Sequence, residues 1–327
     1  MTVIPSPIFL FSLPRSGSTL CQRILASHKD IATTSEPHFL LHFLYSLKGY
    51  DIYSKYDHRA ISRAIQDFCS NLPNGVNDYL TELRDFVLRL YSKASQRESR
   101  YFLDKTPKYN LIAEDIIHLF PRAKFIIIWR NPFSVISSIM ETWAKGRWNI
   151  YHLEFELFQG LHNLIYSYQK HTDLILSIRY EDLILNPEAT LRHIFSYLEL
   201  PFDPEVLTNF SRYRLKGLFR DPHSDFEQYQ VLTPDPIDKW KRLLANPLRK
   251  AWCRFYLRWI GRERLDIMGY NLDDLITELN ALPTDLTFLG SDICRMTYGA
   301  IYRIFELRIM QHKLQAWLTG QRIYAHR

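Results

Sequence analysis

Four short unbroken apolar runs punctuate the chain, and between them apolar residues recur at three- and four-residue intervals. The first run, PIFLF at 7–11, is bounded by Pro7 and the turn-like SLPRSGS and reads as a strand buried on both faces. STLCQRILASH follows with Leu20, Ile24 and Leu25 at helical spacing and Ser18 or Thr19 near the helix N-terminus. Strand, tight loop and helix therefore succeed one another. RYFLDKTP predicts a strand at 101–104, AKFIIIWRNP one at 124–129 and TDLILSIRYEDL one at 173–179, each ending in charged or hydroxyl residues before a helical pattern. The repetition predicts an α/β fold of three layers, a central mainly parallel sheet flanked by helices, with its ligand crevice beyond the carboxyl ends of the strands.

Residues 38–97 read mostly helical, in HRAISRAIQDFCSNL and DYLTELRDFVLRLYSKA, and form either a wall over the site or ordinary core packing. From 201 to 238 the pattern loosens around FRDPHSDFEQYQVLTPDP, a lid or a surface loop. Helical spacing resumes at 238–260. It returns from 291, with Ile301, Ile304, Phe305, Ile309, Leu314 and Leu318. Six basic residues against one acidic residue after position 294 make this tail a candidate for peripheral membrane contact or for a partner, with packing against the domain as the default. The expected division is one domain over 1–270 and a helical extension over 271–327.

With 327 residues, 46% of them hydrophobic, the chain is long enough for one large core, which excludes fibrous and disordered classes. Its 41 Lys and Arg against 35 Asp and Glu favour anionic partners mildly. No dense basic block interleaved with aromatics appears, so nucleic acid is not expected. Cys21, Cys69, Cys253 and Cys294 are widely separated, which suggests neither zinc nor a disulfide framework and fits a reducing compartment. Met1–Pro7 is too short and polar for a signal peptide and no run of 18 apolar residues follows, so the expectation is a cytoplasmic protein. Homo-oligomerisation stays open.

PRSGST at 14–19 carries the most chemistry. Gly17 permits close backbone approach, the following helix N-terminus favours an anion, Arg15 supplies a charged fork, and Ser16, Ser18 and Thr19 supply donors. A plain strand-to-helix turn is the alternative. The nucleotide-triphosphate motif G-x-x-x-x-G-K-[ST] is absent, and the strand at 124–129 delivers Trp129 and Arg130 rather than a magnesium-binding aspartate. Metal-independent transfer of an anionic group fits better.

At these residues the chain resembles the sulfotransferase superfamily that uses 3′-phosphoadenosine 5′-phosphosulfate (PAPS), in particular its bacterial and tyrosylprotein-type branch. PRSGST is similar to the family's 5′-phosphosulfate loop, and WRNPFSVISS supplies Arg130 and Ser138 at the spacing of its 3′-phosphate motif. DKTPKY at 104–109, the stretch RYEDLILNPEATLRHIFSYLEL, WKRL at 240–243 and MGY at 268–270 extend the resemblance over roughly 8–270. It implies a P-loop-like fold, PAPS as donor, 3′-phosphoadenosine 5′-phosphate (PAP) as product and no required metal. Arg15, Ser16, Gly17, Ser18 and Thr19 are then expected at the 5′ end, with Arg130 and Ser138 on the 3′-phosphate. Arg15 and Lys105 are expected to stabilise the leaving phosphate, with Glu36 as general base and His38 as its competitor.

His118, His152 and His162 read as ordinary surface or helix-face residues, and Tyr180 and Asp182 as fixing a strand-to-helix connection. RLKG at 214–217 is no close equivalent of the family's C-terminal R-K-G element. The acceptor is expected to be a hydroxyl of a carbohydrate, lipid or other small molecule. Trp143, Trp148, Tyr151, Phe155, Phe158, Tyr166 and Tyr168 are candidates for lining its channel or for packing in the core. Protein tyrosine sulfation, a magnesium-dependent kinase or ATPase, and a non-catalytic adenosine bisphosphate-binding protein are the alternatives.

Overall fold

Five parallel strands form one sheet in the computed structural model, which describes residues 4–49, 52, 56–95, 97–215, 232–305 and 307–318. The strands are β1 (Ser6–Ser12), β2 (Ile31–Thr33), β3 (Tyr101–Asp104), β4 (Lys124–Trp129) and β5 (Ile175–Arg179), in spatial order β2-β3-β1-β4-β5. In register, Phe9 pairs with Asp104 and with Phe125, and Ile128 with Ile178. Every pairing is parallel. The expected mainly parallel sheet is therefore wholly parallel, with one short strand, β2, beyond the four apolar runs. β5 starts at Ile175, two residues after the expected 173.

The apolar runs are unbroken because both faces of the sheet are covered. Phe9, Phe11, Phe125 and Ile127 point into one core, while Ile8, Leu10, Ile126 and Ile128 point into the other. On the first face Phe9, Phe11 and Phe125 stack at centroid distances of 5.9 to 6.3 Å.

Helices α1 (Ser18–Ala26), α2 (Phe39–Tyr45), α3 (His58–Ser70) and α4 (Val76–Ala94) precede β3. α4 buries Leu83, Val87 and Tyr91, and the Tyr91 ring stacks on Phe102 of β3 at 4.3 Å. α3 buries only His58, Ser62 and Cys69 and leaves Phe68 exposed, so within the helical stretch at 38–97 α2 and α4 pack on the core and α3 is largely solvated. α5 (Ala113–Leu119) leads to β4, and α6 (Pro132–Ala144) and α7 (Leu161–Lys170) lie between β4 and β5. Asn131 caps α6 by accepting from the Phe133 amide, with Pro132 in the first turn.

After β5 come α8 (Tyr180–Leu185), α9 (Pro187–Tyr197) and the short α10 (Val206–Asn209). Residues 216–231, which include most of FRDPHSDFEQYQVLTPDP and the Lys216 and Gly217 of RLKG, lie outside the described residues, as do 319–327. The chain continues with α11 (Asp235–Asp238), α12 (Trp240–Leu243), α13 (Pro247–Ile260), α14 (Arg262–Ile267), α15 (Leu272–Ala281), α16 (Leu289–Ile304) and α17 (Leu307–Leu318). No described helix is long and apolar enough to cross a membrane.

One buried ion pair fastens α16. Arg249 of α13 donates to both Asp292 oxygens (2.6 and 3.0 Å) and to the carbonyls of Leu243 and Gly146 (2.8 and 3.0 Å). Asp292→Ala strands that cation in the interior, so the urea midpoint should fall by the equivalent of about 3–5 kcal/mol. A loss below about 1 kcal/mol, the scale of an exposed pair, would show that the cluster carries no such weight.

Candidate active site

From β1 the chain turns toward β2, and from β4 it turns toward β5, so neighbouring strands send their connections in opposite directions. That divergence opens a crevice at their carboxyl ends, where an open parallel sheet binds ligands. PRSGST follows β1, and Arg130 with α6 follows β4. The two phosphate motifs expected from the sequence thus flank the same switch point.

The loop is tightly folded. Arg15 (φ 67°) and Gly17 (φ 83°) both take left-handed backbone angles, a rare conformation for a residue with the bulk of arginine. Ser16, Ser18 and Thr19 are buried, and α1 starts at Ser18 with its first amides facing the loop. Gly17 is required twice over, for its φ and because a Cβ there would lie 2.2 Å from Tyr180 Cδ2. The Tyr180 ring in turn supports the Arg130 guanidinium, 4.4 Å from the ring centroid. Tyr180 thus joins β5 to α8 as the sequence suggested, and also forms the wall of the loop, a role its spacing did not signal.

Arg130 Nη1 donates to the Arg15 carbonyl at 2.7 Å and Nη2 to the Pro236 carbonyl at 3.1 Å. Ser138 follows eight residues later on α6, and its hydroxyl accepts from Arg15 Nε (3.2 Å) rather than from Arg130; the Arg15 guanidinium lies 5.9 Å from the Trp143 ring. Arg15 therefore reaches across the crevice to the helix expected to hold the second phosphate. Arg130 Nε and Ser12 Oγ, both buried at this end of the sheet, have no hydrogen-bond partner among the described residues. Such orphaned donors fit an anionic ligand.

Glu36 and Lys105 meet directly. Lys105 Nζ, 1% exposed, donates to Glu36 Oε1 at 2.6 Å and to Thr19 Oγ1 at 3.1 Å, while His38 Nε2 lies 3.1 Å from Glu36 Oε2. One lysine thus connects the anion loop to the carboxylate, and His38 is the partner of Glu36 as well as its competitor. Burial pushes the Glu36 pKa up, but the His38 hydrogen bond and the Lys105 charge outweigh it and hold the carboxyl below its usual range. At neutral pH the group is ionised.

Two supports of this pair were not visible in the spacing. Gln22 of α1, fully buried, donates to Thr33 Oγ1 and to the Thr34 carbonyl (both 2.8 Å), which fixes the strand end that delivers Glu36. Asp104, beside Lys105, accepts from Tyr91 (2.6 Å) and Thr106 (2.9 Å). Burial drives its pKa up to about 6, with the bonds from Tyr91, Thr106 and Tyr109 pulling the other way. A carboxyl whose folded pKa is raised contributes stability below its unfolded value that is lost as pH rises through the folded one. Melting temperature should therefore drop more steeply for the wild type than for Asp104→Asn between pH 3.8 and about 6. Parallel curves would contradict this.

The remaining motifs converge on the same end of the sheet. Glu181 of RYEDL accepts from the Asn131 amide (3.0 Å) and from Tyr270 of MGY (2.6 Å), and Arg179 donates to the Gly269 carbonyl (2.7 Å). Trp240 of WKRL packs on Phe133 at 4.8 Å, and the Ser134 hydroxyl donates to the Ile237 carbonyl at 3.1 Å. These contacts clamp the start of α6. The candidate aromatics mostly lie elsewhere. Trp148 is buried against Trp252, Phe158 packs among Trp252, Tyr256 and Trp259, and Tyr151 packs on Tyr298 and Tyr302. Trp143, half exposed, stands beside Arg15. His118 is exposed on α5 beside Glu114, and His152 packs on Tyr151 and Tyr302. No cluster of three or more His, Cys, Asp or Glu side chains suited to a metal occurs among the described residues.

A model described as "Sulfotransferase family" matches residues 7–204. The chain is 30% identical over 151 residues to the nodulation protein NoeE of Sinorhizobium fredii, covering 43% of this chain and 33% of that protein. It is 24% identical over 300 residues to the protein-tyrosine sulfotransferase of Drosophila melanogaster, covering 87% and 51%. Among solved structures, the sulfotransferase domain from the curacin biosynthetic pathway aligns over 73% of this chain and 91% of that one, at 24% identity and a TM-score of 0.49. The chain spans 33% and 51% of the length of those two curated relatives. With a family model matched over more than half of its length, the chain belongs to the sulfotransferase family.

Proposed function

We propose that the chain transfers the sulfuryl group of PAPS to a hydroxyl of a carbohydrate, lipid or other small molecule. The observation that carries this reading is the buried Lys105 ammonium, which bridges Thr19 of the anion loop and Glu36. An acceptor hydroxyl approaching Glu36 is brought to the same cation that faces the loop, which is the juxtaposition a direct transfer requires.

PAPS supplies a sulfuryl group already joined to a good leaving phosphate. Ser16, Gly17, Ser18 and Thr19 hold the 5′ end through loop amides and hydroxyls, and Arg130 and Ser138 hold the 3′-phosphate. The orphaned Arg130 Nε and the glycine-only contour of the loop support that assignment. Glu36, ionised at neutral pH, accepts the acceptor's proton as the new O–S bond forms and the bond to the leaving phosphate breaks. Lys105 and Arg15 neutralise charge on that phosphate. As Lys105 turns its charge toward the phosphate, Glu36 keeps the His38 hydrogen bond but loses one of the two partners that hold its pKa down, and becomes the stronger base.

Protein tyrosine is the second reading for the acceptor, favoured by the 300-residue similarity to a protein-tyrosine sulfotransferase. A screen with PAPS against carbohydrate, lipid, small phenolic and tyrosyl-peptide acceptors, read by mass, separates the two. Gain of one SO₃ on a non-peptide hydroxyl is expected. Modification confined to tyrosyl peptides selects the second reading, and no transfer to any class argues against both.

A further inference from the structure

The last two described helices present apolar residues to solvent as an ordered stripe. α16 turns Asp292, Gly299 and the half-buried Arg295, Met296 and Tyr302 toward the domain, where Gly299 is so close to Tyr151 that a Cβ would sit 2.8 Å from its ring. Its opposite face carries Ile301 and Ile304, Phe305 follows, and α17 continues with Met310, Leu314 and Leu318 at four-residue steps. These six side chains are between 43% and 70% exposed. A helix with one face already seated on its domain has no packing reason for exposed apolar residues on the other, and a run of them of this kind marks a contact that the isolated chain does not satisfy.

Charge decides which contact. After position 294 the chain carries Arg295, Arg303, Arg308, Lys313, Arg322 and Arg327 against the single acidic residue Glu306. Arg295 and Arg303 are committed to the domain, through the Trp148 carbonyl (3.2 Å) and Glu154 (2.9 Å). The other four basic residues belong to the same stretch of sequence, and of these Lys313 is exposed among Met310, Leu314 and Leu318. A second copy would bring two tails of the same net positive charge together, a costly arrangement. An anionic bilayer surface accepts the apolar stripe in its interfacial layer and the cations at its headgroups.

We propose that α16 and α17 seat the protein on the surface of an anionic membrane, with the stripe from Ile301 to Leu318 lying in the interface plane. The proposal does not depend on the reaction the active site performs.

Flotation of the full chain with vesicles tests it. Vesicles of phosphatidylcholine containing phosphatidylglycerol should bind at least about tenfold more tightly than phosphatidylcholine alone, since each cation near the surface contributes roughly fivefold. Raised salt should erode that difference. L314E combined with L318E, on exposed positions away from the nucleotide and acceptor residues, should cut binding by about tenfold or more while leaving the circular dichroism spectrum and PAP affinity as in the wild type. Equal binding to both vesicle types, absence of binding, or unchanged binding by the double variant would overturn the proposal. So would a dimer in gel filtration that the double variant dissolves, because the stripe would then belong to a second copy.

Discussion

Glu36→Gln should lower turnover by roughly a hundred- to ten-thousand-fold, the span of a positioned general base, while nucleotide affinity changes by less than about threefold. Glutamine preserves the shape and still accepts a hydrogen bond from Lys105, so the 2.6 Å contact that orders this part of the site persists in altered form. What disappears is the proton-accepting oxygen. The pH behaviour gives a second reading of the same group. The Glu36 carboxyl is depressed in the folded protein, so its ion pair contributes stability above the ordinary value of 4.5 that is lost as pH falls through the lower folded value. Wild-type stability should therefore decline more than that of E36Q on acidification through that window. Turnover unaffected by the substitution would remove Glu36 as base and leave His38, 3.1 Å from it, as the candidate.

Gly17→Ala should damage both folding and nucleotide binding. The added methyl enters a space held by the Tyr180 ring at 2.2 Å, and the residue must keep a φ of 83° that L side chains rarely adopt. Tyr180 cannot yield freely, because its buried ring supports Arg130 at 4.4 Å and Arg130 is bonded to the loop carbonyl of Arg15. Overpacking with left-handed strain costs about 2–5 kcal/mol, measurable as a shifted urea midpoint. PAP affinity should fall by about tenfold or more, since moving Tyr180 displaces Arg130, the arginine proposed to hold the 3′-phosphate. A variant with wild-type stability and affinity would show that the loop has room to spare. G17A combined with Tyr180→Ala should recover part of the stability while leaving PAP binding weak, because the ring that carries Arg130 is then gone.

The strands at β1, β3 and β4 were legible because a sheet covered on both faces demands unbroken apolar runs, and Phe9 and Ile8 need opposite cores to be buried together. β2 escaped notice because Ile31–Thr33 is three residues long and sits at the edge of the sheet, too short for any period. In the site, PRSGST and the Arg130…Ser138 spacing are local patterns that a sequence displays, whereas the bond from Arg15 to Ser138 was not foreseen. The partnership of Glu36 with Lys105 joins residues 69 positions apart, and that of Glu181 with Tyr270 spans 89, so their motifs could be matched singly but not connected. Gln22 carried no signal at all, and Asp104, although it opens DKTPKY, was matched without a role of its own. A glutamine on a helix and an aspartate ending a strand are ordinary until burial makes them supports. The aromatic stretch from 143 to 168 could not be resolved from sequence, since core packing and channel lining leave the same composition; Trp148 and Phe158 pack in the core, and Trp143 stands next to Arg15.

The nucleotide itself discriminates most sharply, because PAP carries a 3′-phosphate and ATP does not. Calorimetric titration of the full chain with PAP, and separately with ATP and magnesium, should give an affinity for PAP at least about a hundredfold higher, as two charge-assisted contacts of roughly 1.5–3 kcal/mol each require. Equal and weak binding of both nucleotides would contradict the assignment of Arg130, Ser138 and the PRSGST loop to one adenosine bisphosphate.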